Sequence, residues 1–83
     1  MPRFFIDMSD DETFSRDDAG LVFKDVEEAK NAAVATLADM AREALPDGDA
    51  RTFLAIIRGE DGGMLLQANL TLKVTSLVPT NTR

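Results

Sequence analysis

The sequence predicts an α+β domain with the order β-β-α-β-β, in which one amphipathic helix packs on one face of a mainly antiparallel four-stranded sheet. Three observations support this fold class. The middle of the chain, from Val26 to Leu45, is rich in alanine and contains neither glycine nor proline. Short segments rich in aromatic and β-branched residues lie on both sides of it. The last of these segments alternates between apolar and polar residues, which is typical of a strand with one buried face.

The first two strands are predicted around Phe4-Phe5-Ile6 and at Leu21-Val22-Phe23. Between them lies a polar stretch that ends in Asp17-Asp18-Ala19-Gly20. These residues favour a turn, because aspartate tolerates turn geometry and glycine readily takes a positive φ. Strand alternation then places three apolar side chains of the first strand on one face: Phe4, Ile6 and Met8.

The helix is predicted to begin after Asp25, in a capping box with Glu28. We expect the Asp25 carboxylate to accept backbone N–H groups of the first turn, and Glu28 to reach back to the N–H of Asp25. The spacing of 100° per residue gathers the small and apolar side chains on one stripe: Val26, Ala29, Ala33, Leu37, Met40, Ala41 and Ala44. Pro46 and Gly48 are predicted to end the helix.

The C-terminal part of the chain predicts a hairpin of two strands, the first at Arg51–Arg58, joined by a two-residue turn at Asp61-Gly62. This turn fixes the register of the two strands. The register gives a core face that the helix covers, made of Phe53, Ala55, Ile57, Leu66, Ala68 and Leu70.

The same register leaves apolar side chains on the opposite face of the sheet: Phe5, Leu54, Ile56 and Leu65. Isolated apolar residues are common on protein surfaces and explain this face without any function. A contiguous patch would instead indicate an interface for a second copy or for another protein. These four residues are therefore the candidate interface.

Length and charge limit the possible partners. The 83 residues predict a single domain over residues 1–78 and a disordered tail over residues 79–83. Fifteen acidic residues against nine basic ones give a net charge of −6. We therefore expect neither nucleic-acid binding nor binding to anionic membranes, because both partners are negatively charged. No apolar run has the length of a membrane span or a signal peptide, so the predicted location is the cytoplasm.

The chain has no cysteine and no histidine. Disulfides and thiolate metal sites are therefore excluded, and the usual general base near neutral pH is missing. The hydroxyls of Ser9, Ser15 and Ser76 have no histidine to activate them. We expect no enzyme activity and no cofactor.

The acidic segment from Asp7 to Asp18 is the alternative candidate, as a divalent-cation or small-ligand site. Asp7, Asp11 and Asp18 fall near ligand positions of an EF-hand loop that starts at Asp7. However, Glu12 stands where that loop needs glycine, and Asp18 replaces its bidentate glutamate. A solvated acidic loop explains the same residues.

Several short motifs occur together along the chain: Met1-Pro2-Arg3-Phe4-Phe5-Ile6-Asp7, Asp17-Asp18-Ala19-Gly20, Asp25 at the helix start, Leu45-Pro46-Asp47-Gly48 and Glu60-Asp61-Gly62. In this combination the chain resembles a family of small bacterial proteins classed as a domain of unknown function, from Met1 to about Val74. That family tends to have Asp-Gly where this chain has Asp10-Asp11, and a polar residue where it has Ile56. The resemblance implies no particular activity. The departure at Ile56 places one more apolar side chain on the face of the sheet opposite the helix, which we call the back face.

The sequence therefore predicts a non-catalytic domain that forms a homodimer or binds a protein partner. The predicted contact is the back of the sheet or an open strand edge. A further alternative is a regulator that presents its acidic helix face to a basic partner.

Overall fold

The computed structural model of the protein describes residues 2–45 and 48–79. These residues form one helix and five strands: β1 (Arg3–Ser9), β2 (Phe14–Ser15), β3 (Leu21–Val22), α1 (Val26–Ala44), β4 (Ala50–Arg58) and β5 (Met64–Lys73). The predicted α+β class, with one helix and a mostly antiparallel sheet, is confirmed. The predicted count of four strands is wrong, because a strand precedes β3 at Phe14–Ser15. Two residues in a polar segment are too short for an alternating pattern to reveal them.

The sheet has the order β2-β1-β4-β5, and β3 also pairs with β1. Every one of these pairings is antiparallel. β2 pairs with the end of β1 at Met8 and Ser9, while β3 pairs with its start at Arg3 and Phe4. The two short strands therefore act as one interrupted strand along the outer edge of β1. At the opposite side of the sheet, β5 is the last strand.

The start of α1 follows the predicted cap with one difference. The carboxylate of Asp25 accepts the N–H of Glu28 at 2.9 Å, as expected. The carboxylate of Glu28 accepts the N–H of Lys24 at 2.7 Å, one residue before the predicted partner. At the other end, the Leu45 N–H closes the last turn on the Ala41 carbonyl. Pro46, predicted to stop the helix, lies outside the described residues, as do residues 80–83 of the predicted tail.

The hairpin between β4 and β5 has the predicted register in its core. Phe53 faces Leu70 and Ile57 faces Leu66, as a two-residue turn would require. The turn itself is longer than predicted, because the Gly59 N–H donates to the Gly63 carbonyl at 2.9 Å and closes a three-residue loop.

A bulge at the start of β5 reconciles the longer loop with the predicted register. The register shifts between Ile57 and Arg58, since Ile57 faces Leu66 whereas Arg58 faces Met64. Leu65 is the extra residue at this shift. The core face therefore has the predicted alternation, although the loop is one residue longer than the predicted two-residue turn at Asp61-Gly62.

The core lies between α1 and the two central strands. Its buried members come from β1, α1 and β4: Phe4, Ala29, Ala33, Leu37, Ala41, Phe53, Ala55 and Ile57. On β5, Leu66 and Ala68 are only partly buried, and Leu70 is 40% exposed. The helix therefore covers β4 well and leaves β5 partly uncovered. Among the described residues, no helix is long and apolar enough to cross a membrane.

Candidate functional site

The four residues of the predicted interface do not share one environment. Phe5, Leu54 and Ile56 are partly buried, whereas Leu65 is 53% exposed. In the register, Ile56 stands between the polar side chains of Asp7 and Gln67 on the neighbouring strands. The guanidinium of Arg58 lies over the ring of Phe5, with Cζ 5.1 Å from the ring centroid. The back-face interface stays a prediction, and its residues are interleaved with polar partners.

A buried ion pair lies on this back face, at the end of β4 that leads into the hairpin turn. Arg58 on β4 donates to both carboxylate oxygens of Asp7 on β1, from Nε to Oδ2 at 2.7 Å and from Nη2 to Oδ1 at 3.1 Å. Both residues are buried. The two-pronged contact matches the planar guanidinium fork to the carboxylate, which is the stronger geometry for such a pair. It joins the two central strands of the sheet through their side chains.

Asp17 ties the connection between β2 and β3 to this pair. Its backbone carbonyl accepts from Nη2 of Arg58 at 2.9 Å, and its N–H donates to Oδ1 of Asp7 at 2.9 Å. Its carboxylate accepts the N–H of Ile6 at 3.0 Å, and also the N–H groups of Ala19 and Gly20. We call Asp7, Arg58 and Asp17 the latch cluster. Sequence reasoning treated these aspartates as solvated or as metal ligands.

The latch cluster requires glycine at position 20. Gly20 has a φ of +70°, and a β carbon added there would lie 2.9 Å from the carbonyl oxygen of Phe4. The same added atom would lie 2.9 Å from Cε2 of Phe5. Gly20 therefore lets the chain pass against the start of β1 in the turn that the sequence predicted here.

Both carboxylates of the latch cluster are held ionised. The hydrogen bond from Arg58 lowers the pKa of Asp7 from its ordinary value of 3.8, against a smaller opposing effect of burial. For Asp17, burial raises the pKa, but the N–H groups of Gly20, Ile6 and Ala19 together outweigh it and the pKa is lowered. The contact with Asp7 in turn raises the pKa of Arg58. With lowered pKa values, both carboxylates are poor proton acceptors near neutral pH.

The three candidate metal ligands each contact a different arginine. Asp7 pairs with Arg58, while the carboxylate of Asp11 lies 3.3 Å from Nε of Arg51 and also accepts the Thr52 N–H at 3.2 Å. Asp18 pairs with Arg16 at 3.2 Å on the surface. Within residues 2–45 and 48–79, no three acidic side chains form a group suited to a metal ion. Cation binding by this segment stays a prediction.

A shallow cavity of about 320 Å³ lies beside the latch cluster. It is lined by Phe5, the loop residues 16–18, Arg58 and the hairpin turn 59–62. Most of the charged residues that line the cavity are acidic. Arg58, one of its basic residues, already donates hydrogen bonds to the carboxylate of Asp7 and the backbone carbonyl of Asp17. The cavity is polar and open, unlike the enclosed apolar pockets that bind most small ligands.

The strand edge at β5 is the feature of the sheet that is left unpaired. In the described part of the chain, β5 has β4 as its sole neighbour. The Val74 N–H donates to the Asp49 carbonyl across this pair at 2.7 Å, so even-numbered residues from Leu66 onward point their backbone groups at β4. The outward backbone groups then belong to the odd-numbered residues: Gln67, Asn69, Thr71 and Lys73. We call this row the free β5 edge.

The free β5 edge carries little charge. None of the 15 acidic residues lies after Asp61, and Lys73 is the single charged residue between positions 62 and 79. Met64, the first residue of β5, and Val74, which directly follows the strand, are more than half exposed. Sequence reasoning allowed for an open strand edge but could not identify it, because strand order was not predicted. The absence of acidic residues after Asp61 was the available signal.

Comparison with known protein families gives a match over most of the chain. The model of a family described as a domain of unknown function (DUF6894) matches residues 3–71, which is most of the 83-residue chain. No curated protein and no solved structure is significantly similar to the chain. The match agrees with the predicted resemblance to a domain family without assigned activity. The chain therefore belongs to the DUF6894 family, a domain of unknown function.

Proposed function

We propose that this domain is a non-catalytic protein-binding module that pairs its free β5 edge with a strand of a partner. The observation that carries the proposal is the ten-residue edge strand with no described neighbour on its outer side. Added strands bind such edges through backbone hydrogen bonds, and side-chain contacts on both faces supply selectivity.

Few of the usual protective devices are present on this edge. Proteins prevent unwanted strand pairing with inward charges, proline, bulges or very short edge strands. Here the bulge at Leu65 and the charge of Lys73 lie at opposite ends of β5. The seven residues from Leu66 to Leu72 contain neither a charge nor a proline. An edge of this length and neutrality favours pairing.

The geometry of the latch cluster supports the non-catalytic part of the proposal. Its carboxylates accept hydrogen bonds from Arg58 and from backbone N–H groups, and these contacts stabilise the ionised forms. A general base needs a pKa near the operating pH, and these carboxylates are shifted away from it. The latch cluster links β1 and β4 to the connection between β2 and β3, and we assign binding to another surface.

The test uses strand-forming peptides selected from a random library against the intact chain. Amide hydrogen exchange, at low protein concentration and with excess peptide, should show more protection at the outward amides of Gln67, Asn69 and Thr71 than in the chain alone. The amides that face β4 are already bonded and should change little.

Two proline variants supply the matched comparison. Thr71→Pro removes an outward N–H without removing a bond to β4, and edge strands tolerate such a proline. Thr75→Pro makes the same change beyond the end of β5. We expect Thr71→Pro to abolish peptide binding and Thr75→Pro to preserve it. Protection at other amides, or equal binding by both variants, would refute the proposal.

A further inference from the structure

We infer that the strand which occupies the free β5 edge is β5 of a second copy of this chain, antiparallel and related by a two-fold axis at Leu70. The inference rests on the proposed function and names its partner. It follows from three features of β5: its charge, the direction of its backbone groups, and the apolar side chains that α1 leaves uncovered.

Charge singles out β5 as the place where two copies can meet. Each chain has a net charge of −6, so most surfaces of two copies repel each other. Residues 62–79 are free of acidic side chains and carry one positive charge, at Lys73. Two β5 strands can therefore approach without placing carboxylates opposite each other. The same edge would offer no particular attraction to a strongly basic partner.

Backbone direction limits the possible registers. A two-fold axis between antiparallel strands must pair outward-facing residues with outward-facing residues. An axis at Leu70 pairs Asn69 with Thr71 of the second copy, and Gln67 with Lys73 of the second copy. It lets the whole stretch 66–74 pair and stops short of the bulge at Leu65. An axis at Asn69 would include the bulged residue, and an axis at Thr71 would shorten the paired stretch.

The Leu70 axis also covers apolar side chains on the helix side of the sheet. Leu70, 40% exposed, would face Leu70 of the second copy, and Val74, 53% exposed, would face Leu66 of the second copy. The two four-stranded paths would become one continuous sheet with α1 of each copy on the same side. A domain of this size has a small core, and a second subunit is a common source of additional stability.

Cysteine cross-linking tests the register directly, because the chain has no cysteine of its own. Residue 70 would form a non-hydrogen-bonded pair with itself, with Cα atoms about 4.5 Å apart, which suits a disulfide. Leu70→Cys should therefore form a covalent dimer under mild oxidation. Ala68→Cys should not, because residue 68 faces Leu72 of the second copy. A mixture of the Ala68→Cys and Leu72→Cys chains should cross-link to each other.

Sedimentation equilibrium tests the association itself with a matched pair of variants. The wild-type chain should be a dimer. Leu70→Lys places two like charges at the axis and should weaken dimerisation at least about tenfold. Leu77→Lys makes the same exchange at a residue that is 92% exposed and lies beyond β5, and it should leave the dimer intact.

The outcomes separate this inference from the proposed function. A wild-type chain that stays monomeric at several hundred micromolar, or equal cross-linking at positions 68 and 70, would overturn the two-fold pairing. If selected peptides still protect the outward amides of β5, the protein-binding function stands with another partner. If they do not, both proposals fall.

Discussion

At the β1 edge of the sheet, β2 and β3 cover the two ends of the strand, and the carboxylate of Asp17 accepts the Ile6 N–H at 3.0 Å in the gap between them. At the β5 edge, no described residue pairs with the outward backbone groups. The first edge is closed by strands and side chains together. The second is open and nearly uncharged.

The difference between the two edges shows how some acidic residues of this chain act: their carboxylates accept backbone N–H groups of β1 and β4. Asp17 replaces a strand carbonyl at β1, and Asp11 does the same at the Thr52 N–H of β4, beyond the end of β1. A carboxylate that accepts backbone N–H groups satisfies donors that would otherwise lack a partner. Such acidic residues are structural, although in sequence they look like a metal-binding loop. In the proposed function, the nearly uncharged residues 62–79 are the part of the chain that contacts a partner.

The largest effect is expected from removing the ion pair that supports the closed edge. Asp7→Ala leaves the Arg58 guanidinium without its two carboxylate contacts and deprives the Asp17 N–H of its acceptor. Breaking a buried pair in this way should lower the free energy of unfolding by about 3 kcal/mol. Urea denaturation at pH 7 gives the value.

Asp18→Ala is the control for that measurement. Asp18 pairs with Arg16 on the surface, with its side chain 84% exposed. Surface pairs contribute little, so its free energy of unfolding should stay close to that of the wild type. Equal losses for the two variants would show that the latch cluster does not stabilise the closed edge.

A smaller loss is expected from Gly20→Ala. The substitution meets two obstacles, the positive φ of +70° and the carbonyl oxygen of Phe4 at 2.9 Å. Together they should lower the free energy of unfolding by about 2 kcal/mol. Gly62→Ala has a similar φ of +86° but nothing within 4 Å of the added carbon. Its loss should be about 1 kcal/mol, and the difference between the variants measures the close approach at the β1 edge.

Acid should weaken the closed edge. Asp7 and Asp17 have pKa values below the ordinary 3.8 in the folded chain. Their contribution is therefore present above about pH 4, and it is lost as the pH falls through the lower folded values. Urea denaturation from pH 5 to about pH 2 should show a steeper fall for the wild type than for Asp7→Asn. Parallel pH profiles would show that Asp7 is not linked to folding.

The helix and the core register could be predicted because local patterns determine them. The stripe of Ala29, Ala33 and Leu37 needs only helical spacing, and alternation fixes the pairing of Phe53 with Leu70. The loop is one residue longer than predicted, and the bulge at Leu65 compensates for it. The predicted core register is therefore kept, because only one register buries the apolar face.

The latch cluster and the strand order were beyond sequence reasoning because both depend on contacts between distant residues. Asp7 and Arg58 are 51 positions apart, and nothing in either segment indicates the other. Asp17 gave a turn signal, but its bond to the Ile6 N–H depends on where β2 ends. Alternation placed Phe5, Leu54 and Ile56 on the face of the sheet away from the helix, and their role as an interface stays a prediction. Alternation could not supply the polar residues beside them: Arg58 lies over the ring of Phe5, and Asp7 and Gln67 flank Ile56.

The smallest change in the free energy of unfolding is expected from a substitution at the free β5 edge. Asn69 lies on the exposed back side of β5, and its side-chain oxygen accepts a hydrogen bond from the amide of Gln67 at 3.1 Å. Asn69→Lys should therefore change the free energy of unfolding of the monomer by less than about 0.5 kcal/mol. In the proposed pairing the new charge lies diagonal to Lys73 of the second copy, so association should weaken. Wild-type unfolding midpoints should then rise with protein concentration, as mass action requires, whereas those of Asn69→Lys should rise less. Thr75→Lys, beyond β5, should behave as the wild type; if Asn69→Lys does too, the open edge is not the contact surface.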